Sequence, residues 1–588
     1  MTIRQFLSPL ALGAFSLCCA WSQQYVINTY AGDRTIGFTG DGGAPASADL
    51  YLPLGLTLDS SNNLYIVDSV NQRVRKVSGG AINTVAGDGT FGYTGDKGAA
   101  TSAEMLNPSA VAVDSIGNIY IADTGNHVIR EVVTGTTATA DSVSAGDIIT
   151  FAGNNTGGYA GDGGPATSAE LEFPTGVAVD SSGNVYIADS GNNVIREVTN
   201  GIINTIAGGN ATTQQLSDPE TVVVDASGNL YISEPVAYRV SKFSDGNLTV
   251  IAGNGAIGSS GDNGPAIDAS LDEPSGIALD SKGYLYICDT INSRIRKISP
   301  DGIITTIAGL GNPGYYGDGG PASGALLYFP RAIVVDPSGN VYFSDTGNDI
   351  VRWLQPQTPK ISTGGVVNAA SLAAAFSPGA LATVFGSNFT GTGLNSVASS
   401  LPLAANLGGV SVQVNGVSAP VLYASATQIN FQIPWETKTG SATVVVSVNG
   451  ITSATVNITV QSAAPGLFVQ GSHAIVQNSD FSLNTSGNPA KAGGTIMAYL
   501  TGAGAVSPEP ADGAAAGSGS GLSNVTPTVT ASIGGQTAQV SFAGLAPDFV
   551  GLWQVNIVVP TGLTQGNYPL TVTVGGQTSN AASVSVAP

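Results

Sequence analysis

A motif that occurs six times between residues 53 and 354 constrains this sequence more than any other feature. Its clearest copy, at 174–198, reads PTGVAVDSSGNVYIADSGNNVIREV. The aspartate at the seventh position recurs with spacings of 55, 66, 45, 55 and 56 residues, at Asp59, Asp114, Asp180, Asp225, Asp280 and Asp336. Such a period predicts an array of one supersecondary unit that is too small to fold alone.

Each copy has the sequence pattern of four short β-strands. In the third copy, turns separate apolar runs at 176–179, 185–188, 194–198 and 203–208. Gly-Asn pairs in these turns supply the positive φ angles that tight hairpins need. Four-stranded antiparallel units of this length pack radially as propeller blades. We therefore predict an all-β chain that begins with a six-bladed β-propeller.

The number of strands predicts how the ring closes. The sixth copy ends at 351–354 without its fourth strand, whereas an isolated strand pattern occupies 26–32, before the first copy. We expect this N-terminal strand to complete the last blade, because two strand edges would otherwise stay open to other chains.

The repeat resembles a known family. The pattern V-x-x-D-x-x-G-N-x-Y-I-x-D-x-x-N-x-x-I-R is similar to NHL-repeat propellers. The intervening Gly-Asp-Gly-Gly-Pro-Ala segments resemble the variety found in large bacterial and teneurin-type extracellular proteins. The resemblance covers about residues 24 to 356. It implies a six-bladed binding platform more often than an enzyme, and it names no ligand.

The rest of the chain contains a second internal repeat. QINFQIP at 428–434 reappears as QVNIVVP at 554–560, and 440–460 matches 566–586 at the same offset of 126 residues. Alternating strand patterns predict two Ig-like β-sandwiches, at 357–462 and 463–588. This region resembles the C-terminal module of many large secreted proteins of soil bacteria. Trp435 and Trp553 either pack in its cores or stack on a sugar ring.

The first 22 residues have the pattern of a signal peptide. Arg4 precedes an apolar run at 6–20, and small residues at Ala20 and Ser22 suit cleavage. This run is too short to span a membrane stably. We therefore predict a secreted or cell-surface monomer, with the periplasm as an alternative, in which 23–356 form the propeller.

Charge is unevenly distributed along the chain. The propeller region contains 35 acidic and 15 basic residues, whereas the region after it has a net charge of −2. An acidic platform repels nucleic acid and anionic lipid and favours cations or basic partners. We expect an extracellular protein or glycan as the partner, with no nucleic acid and no membrane span.

Five of the long connections between blades carry a Gly-Asp pair that we interpret as a candidate ligand-binding loop face. Their aspartates are Asp41, Asp96, Asp162, Asp262 and Asp318. Turn chemistry explains the pairs, since Asp accepts bonds from following amides. Calcium is the alternative, because clustered carboxylates suit a hard cation. The spacing of an EF-hand is absent, so a calcium site needs ligands from separate loops.

A second set of aspartates ends the second strand of five copies, each seven residues before an arginine. These residues are Asp68 and Arg75, Asp123 and Arg130, Asp189 and Arg196, Asp289 and Arg296, and Asp345 and Arg352. We predict structural pairs across the hairpin, because an unpaired buried arginine is costly. The fourth copy has Glu234 and Ser241 instead. There, Glu234, Tyr238 and Arg239 form a distinctive exposed group, through either decay of the blade or a ligand entrance.

The chain offers few residues for catalysis. Its two histidines are His127, in a propeller turn, and His473, near the other end, and no Gly-x-Ser-x-Gly elbow is present. We predict a non-catalytic binding or scaffold protein, without a cofactor, whose loop face engages a protein or glycan. A calcium-dependent hydrolase or lyase is one alternative, favoured by three or more channel carboxylates around a metal. A structural cell-surface spacer is another.

Overall fold

The computed structural model describes residues 25–134, 143–209, 211, 215–390, 395–448 and 450–588. The predicted signal peptide lies outside these residues. The chain divides into two compact units, of which one is Gln24–Pro356 and the other includes Gln357–Pro588. In the described ranges, no helix is both long and apolar enough to cross a membrane.

The first unit is a six-bladed β-propeller, which confirms the predicted fold. Each blade is an antiparallel sheet of four main strands in sequence order. Blades 1 to 3 contain Pro53–Leu58, Leu64–Asp68, Arg73–Ser78 and Ala81–Ala86; Ala110–Val113, Ile119–Asp123, Val128–Val132 and Asp147–Ala152; and Pro174–Val179, Val185–Asp189, Val194–Thr199 and Ile202–Gly208. Blades 4 to 6 contain Val222–Val224, Leu230–Glu234, Arg239–Ser244 and Asn247–Ala252; Pro274–Leu279, Leu285–Asp289, Arg294–Ile298 and Ile304–Ala308; and Pro330–Val335, Val341–Asp345, Ile350–Pro356 and Tyr25–Ala31.

The N-terminal strand closes the ring, as the strand count predicts. Tyr25–Ala31 pairs antiparallel with Ile350–Pro356, from Tyr25 opposite Pro356 to Ala31 opposite Val351. Tyr25 and Ile27 are buried in the core between blades 5 and 6. Two-residue strands at Gly98–Ala99 and Gly164–Pro165 extend the outer edges of blades 2 and 3.

The repeat explains the local structure. In Val185–Asp189 all five residues are buried, because the second strand of a blade packs against neighbouring blades on both faces. At the preceding turn, Asp180 Oδ1 accepts hydrogen bonds from the backbone N–H groups of Ser182 and Asn184, at 2.8 and 2.9 Å. Gly183 supplies the positive φ that this turn requires.

Short 3₁₀ segments occur mainly in the propeller connections. They are Pro45–Ser47, Ala100–Ser102, Thr124–Asn126, Ala166–Ser168, Ser190–Asn192, Pro235–Ala237, Ala266–Asp268, Ala322–Gly324, Thr346–Asn348 and, in the second unit, Gly519–Gly521. The first strands of all six blades line a central channel of about 530 Å³.

The second unit contains two β-sandwiches, as the tandem repeat predicts. The first has the sheets Lys360–Asn368, Leu381–Ser387, Gln428–Gln432, Val421–Ser425 and Asn395–Val397; and Asn406–Leu407, Val410–Val414, Gly440–Val448 and Ile451–Thr452, with Val417–Ala419 and Val456–Val460 paired to this sheet. The second has the sheets Gly466–Leu467, Thr495–Thr501, Trp553–Val558, Val540–Leu545, Asn524–Val525 and Val506–Ser507, with Val476–Gln477; and Val469–Gln470, His473–Ala474, Ala582–Ala587, Gly566–Val574, Val529–Ile533 and Gln536–Ala538, with Ala490–Lys491 and Gln577–Thr578.

Both tryptophans considered for sugar stacking are core residues. Trp553 is 0% exposed and Trp435 is 7% exposed. Trp435 follows the first sandwich's strand Gln428–Gln432, yet it belongs to the same hydrophobic cluster as Trp553 in the second. Its backbone N–H donates to Asp512 Oδ1 at 2.8 Å. The stacking alternative is therefore wrong, because neither ring has a face open to a ligand.

Candidate functional site

The five loop aspartates each contact a buried arginine of the blade that follows their connection. The Oδ1–Nη2 distances are 2.7 Å for Asp41–Arg75, 2.6 Å for Asp96–Arg130, 2.7 Å for Asp162–Arg196 and 2.8 Å for Asp262–Arg296, and Asp318 pairs with Arg352 in the same way. The aspartate side chains are between 30% and 42% exposed, whereas the arginines are fully buried.

The same guanidinium groups contact the strand-end aspartates on their other side. The Oδ2–Nη1 distances are 3.4 Å for Asp68–Arg75, 3.4 Å for Asp123–Arg130, 3.2 Å for Asp189–Arg196, 3.1 Å for Asp289–Arg296 and 3.5 Å for Asp345–Arg352. We call each set of two carboxylates and one guanidinium an Asp–Arg–Asp triad. Five blades, all except blade 4, contain one.

Each triad attaches a connection to its blade. Arg196 also donates to the backbone carbonyl oxygens of Glu170 and Ala160, both at 3.3 Å, and these residues lie in the connection before blade 3. The ring of Tyr159 lies 5.3 Å from this guanidinium. Such carbonyl and aromatic contacts favour a buried cation.

An aromatic residue three positions before the loop aspartate recurs in the triads, and the sequence analysis did not identify it. Phe38, Tyr93, Tyr159 and Tyr315 lie between 4.8 and 5.3 Å from the guanidinium groups of Arg75, Arg130, Arg196 and Arg352. The signal was present in the sequence as an aromatic residue at a fixed offset from each Gly-Asp pair, and Ser259 interrupts it only in the connection before blade 5.

In the triad of Arg75, the pKa values of the two carboxylates shift in opposite directions. Burial raises the pKa of Asp68 to about 6, against the hydrogen bonds from Tyr51 and Asn71 and the charge of Arg75. Burial likewise raises the pKa of Asp123, Asp289 and Asp345 to about 6. Burial of Asp41 opposes ionisation too, but the hydrogen bond from Thr84 and the charge of Arg75 together lower its pKa.

The second oxygen of three loop aspartates is also occupied. Asp41 Oδ2 accepts from Thr84 N at 3.1 Å, Asp96 Oδ2 from Thr150 N at 3.2 Å, and Asp318 Oδ2 from Thr29 N at 2.8 Å. These bonds reach the fourth strand of the blade. Across the part of the chain that the structure describes, no group of three or more His, Cys, Asp or Glu side chains is arranged to hold a metal ion.

Blade 4 replaces the triad with a different ion pair. Contrary to the expectation of an exposed group, Glu234 is 0% exposed. Arg239, from the start of the third strand, donates to both of its carboxylate oxygens, at 2.8 and 2.7 Å, and Ser241 donates to Oε1. Arg239 lies directly opposite Glu234, two positions before Ser241, which occupies the place of the triad arginine. Tyr238, a half-buried residue, adopts the left-handed conformation at the same turn.

Side chains in the turn after the second strand join adjacent blades. Each accepts a hydrogen bond from the backbone N–H just before the next blade. The bonds are Asn107 N to Gln72 Oε1 at 2.6 Å, Phe173 N to His127 Nδ1 at 3.2 Å, Asp218 N to Asn193 Oδ1 at 2.7 Å and Leu52 N to Asp349 Oδ1 at 2.9 Å. His127 therefore has a structural contact, and its ring also packs on Phe173 at 4.6 Å.

A hydroxyl group forms a second bond at most blade junctions. Each donates to the carbonyl of the proline that begins or precedes the next blade: Thr124 to Pro174 at 2.8 Å, Ser190 to Pro219 at 2.5 Å, Thr290 to Pro330 at 2.8 Å and Thr346 to Pro53 at 2.7 Å. In blade 4, Pro235 takes the position of the hydroxyl residue, and Tyr238 takes the position of the residue that accepts from the backbone N–H. Between blades 4 and 5, neither of the two bonds forms among the described residues.

Six residues each precede the proline at the start of a blade, where the long connections end, and one of them, Asp218, lines the channel. We call them the mouth ring: Leu52, Asn107, Phe173, Asp218, Glu273 and Phe329. All six have φ between 47° and 50°, a conformation that is strained for bulky side chains. Phe173 is 49% exposed and Leu52 is 38% exposed. Backbone strain that recurs at one place is typical of binding sites.

The mouth ring has an acidic sector. Asp218 and Glu220 line the channel, and Glu220 Oε1 lies 3.4 Å from Arg331 Nη1 of blade 6. Burial raises the pKa of Glu220, although the charge of Arg331 opposes this shift, and Asp218 and Glu273 add to it. The remaining channel wall consists mainly of aliphatic side chains of the first strands. The mouth therefore presents apolar and anionic groups side by side.

Family models match parts of both units. A model of the teneurin NHL domain matches residues 152–221 and 220–316, and a model of the IPT/TIG domain matches residues 366–461. The first covers blades 3 to 5 and the second covers the first sandwich. These matches confirm the predicted resemblance to NHL-type propellers and to Ig-like modules.

Curated relatives match about half of this chain at low identity. The chain is 28% identical over 314 residues to the Arabidopsis thaliana protein SUPPRESSOR OF QUENCHING 1. This alignment covers 51% of this chain and 25% of the relative. It is 26% identical over 372 residues to Teneurin-4 of Mus musculus, covering 56% of this chain and 13% of that protein. The chain thus spans a quarter or less of the length of these relatives.

A solved structure aligns with part of this chain. An auxiliary nutrient binding protein from Bacteroides thetaiotaomicron gives a TM-score of 0.42 at 15% identity, over 57% of this chain and 77% of that one.

Proposed function

We propose that this NHL-type propeller is the non-catalytic binding platform of a secreted protein, and that its loop face engages an extracellular protein or glycan. The mouth ring is the observation that carries the proposal. It combines exposed Phe173 and Leu52 with the acidic Asp218 and Glu273, and Asp218 also lines the channel of about 530 Å³. Concave sites with apolar walls and a few polar groups at fixed positions are typical of ligand recognition.

The charge of the propeller limits the chemical class of partner that it can bind. The mouth carries three carboxylates and one arginine, and the propeller region as a whole is strongly acidic. A partner that places a basic or hydroxyl-rich group over the acidic sector and an apolar group on Phe173 fits both properties. A basic segment of a protein and the ring face of a sugar both meet this description.

The loop aspartates contribute to this platform by positioning it. Each triad holds one long connection against its blade, so the connections present a fixed surface. Preordered loops lose less conformational entropy on binding than mobile ones do. We therefore place direct contact at the mouth ring and assign the triads a supporting role.

The test is a binding screen of the full chain on an array of basic peptides and neutral polysaccharides. Wild-type protein is expected to select a subset of the array. Phe173→Ala and Glu273→Gln are expected to weaken that binding by about tenfold each, because hot-spot contacts are concentrated in few residues. All variants are first compared by circular dichroism and thermal unfolding.

Matched controls lie at the opposite end of the channel. Ile116 is 63% exposed in the turn after the first strand of blade 2, and Asp301 is an exposed acid in a turn on the same side. Ile116→Ala and Asp301→Asn should retain full binding. An array without binders, or equal binding by all four variants, contradicts the proposal.

A further inference from the structure

The second sandwich contains a polar pocket that no family match reaches, since the IPT/TIG match ends at residue 461. The pocket has a volume of about 320 Å³ and is lined by residues of the His473–Ala474 and Ala582–Ala587 strands and of the 483–486 loop. Its lining includes hydroxyl and amide side chains and His473, with no Asp, Glu, Lys or Arg. His473 and Ser583 lie directly opposite each other in the parallel pairing of their strands.

Asn484 is held in one orientation in this pocket by its hydrogen bonds. It is fully buried, and its Nδ2 donates to Asn478 Oδ1 at 3.0 Å and to the carbonyl oxygen of Ser585 at 2.9 Å. Its Oδ1 accepts from the backbone N–H of Ser585 at 2.8 Å. Donors and acceptors on both ends of the amide define its orientation, so Oδ1 is the atom that faces His473.

This orientation determines the tautomer of His473. The ring Nε2 lies 3.1 Å from Asn484 Oδ1, which can only accept, so Nε2 carries the proton of the neutral ring. The other nitrogen, Nδ1, then has a free lone pair, and it lies 3.1 Å from Ser583 Oγ. Ser583 Oγ also lies 3.1 Å from the carbonyl oxygen of Ser472, so its proton has two acceptors. A hydroxyl, a base and a group that orients the base are the elements of an activated serine.

We propose that Ser583 is a nucleophilic serine that accepts an acyl group from a small neutral ester, with His473 as the base and Asn484 as the residue that positions it. As Ser583 Oγ bonds to the ester carbonyl carbon, its proton moves to His473 Nδ1. The bond from this carbon to the alkoxide breaks, and the alkoxide leaves with the proton from Nδ1. Water then attacks the acyl carbon and gives a proton to His473 Nδ1. The bond from this carbon to Ser583 Oγ breaks, Ser583 Oγ takes the proton back from Nδ1, and the acid is released.

The pocket indicates the class of ester. Because no charged side chain lines it, a neutral ligand enters without losing the solvation of an ion. Ala474, Ile475 and Leu483 provide apolar contact, and the hydroxyl and amide groups suit an alcohol part that itself carries hydroxyls. A volume of about 320 Å³ is at the small end of ligand sites, which favours a short acyl chain.

The test uses the full chain and a fluorophosphonate probe, with 4-nitrophenyl acetate as a second substrate. Mass spectrometry of peptides is expected to locate the adduct on Ser583. Ser583→Ala should abolish labelling. His473→Gln should slow labelling by about 100-fold or more, the usual contribution of a general base. Asn484→Ala should slow it less, since the residue acts through His473.

Ser541→Ala is the matched control, because Ser541 is an exposed serine of the same sandwich that does not line the pocket. This variant should label at the wild-type rate. Thermal unfolding identifies any variant that fails to fold, and His473→Asn provides a second substitution of the base. The proposal is overturned if folded wild-type protein shows no adduct at Ser583, or if the His473 variants label as fast as wild type.

Discussion

Arg196 is a fully buried cation with a carboxylate on each side, Asp189 from its own hairpin and Asp162 from the preceding connection. Removing one partner of a buried ion pair leaves an uncompensated charge, which costs far more than losing an exposed pair. The two aspartates differ in this respect, because the side chain of Asp189 is fully buried and that of Asp162 is 42% exposed. Their substitutions should therefore differ in effect.

We expect Asp189→Ala to lower the free energy of unfolding by about 2 kcal/mol, because Arg196 loses its buried acceptor. Asp162→Ala should cost less than about 1 kcal/mol, since water replaces an exposed carboxylate. The measurement is urea denaturation of the full chain, in which the free energy of unfolding is taken from the transition of the propeller. Asp301→Ala, in an exposed turn, is the control for loss of a negative charge.

A double-mutant cycle tests whether the two side chains interact. Arg196→Ala combined with Asp189→Ala should cost less than the sum of the single substitutions, because no fully buried charge is left without a partner and Asp162, at 42% exposure, is solvated by water. Strict additivity would contradict a direct interaction within the triad.

At the residue scale, the sequence predicted one half of each triad. Residues seven apart across this turn are diagonal neighbours on one face of the hairpin, since Asp189 lies opposite Val194 and Arg196 opposite Ile187. Asp189 and Arg196 were therefore assigned as a pair from spacing alone. The second partner, Asp162, is 34 residues before Arg196 and reaches it only because the connection folds back over the blade. Hairpin geometry says nothing about the path of such a connection. The ligand-binding role of the loop aspartates stays a prediction.

The junctions between blades use bonds that do not depend on one residue type. The residues at this turn position each supply one acceptor atom, although they belong to different chemical classes. They are Gln72, His127, Asn193 and Asp349. This variety hid their role in the sequence, where His127 stood out only as a rare residue type. The junction between blades 4 and 5, with Pro235 and Tyr238, lacks both kinds of bond among the described residues. We expect it to be the weakest contact between neighbouring blades.

Thr346→Val tests a junction bond at the element scale. The substitution keeps the shape of the side chain but leaves the carbonyl oxygen of Pro53 without the donor that lies 2.7 Å away. We expect the propeller to lose about 1 kcal/mol of stability, as for a buried acceptor left unpaired. Thermal unfolding is the measurement, and Thr167→Val, at an exposed position, is the control. A wild-type melting temperature for Thr346→Val would contradict a role for this hydroxyl in joining blades 6 and 1.

At the scale of the whole molecule, the count of strands predicted six blades and closure by the N-terminal strand, and the second internal repeat predicted a tandem of sandwiches. Repeats make this level predictable, because each copy supports the interpretation of the others. The contact between the two sandwiches was not predictable in the same way. Trp435 follows the repeated QINFQIP segment and packs in the core around Trp553. This contact depends on how the two sandwiches are arranged, whereas the repeat predicts only the fold of each sandwich by itself.

Deletion of residues 23–33 tests ring closure. The deletion removes the strand that pairs with Ile350–Pro356, together with the bond from Thr29 to Asp318, and exposes a long strand edge. We expect a large fall in the melting temperature of the propeller and concentration-dependent aggregation. Deletion of Gln577–Thr578, an exposed two-residue strand of the second sandwich, is a control for the removal of residues elsewhere. An unchanged propeller transition would show that the strand is dispensable.

Closure between Tyr25–Ala31 and Ile350–Pro356 also has a consequence for folding. The two segments are among the most distant in the propeller sequence. The entropy of closing a loop grows only with the logarithm of its length, so this separation takes little from the equilibrium stability. Folding rates, in contrast, fall steeply as contacts become more distant in sequence. We therefore expect the hydrogen bonds of the closing strand to form late. Until they form, the strand edges at Tyr25–Ala31 and Ile350–Pro356 are open to pairing with another copy of the chain.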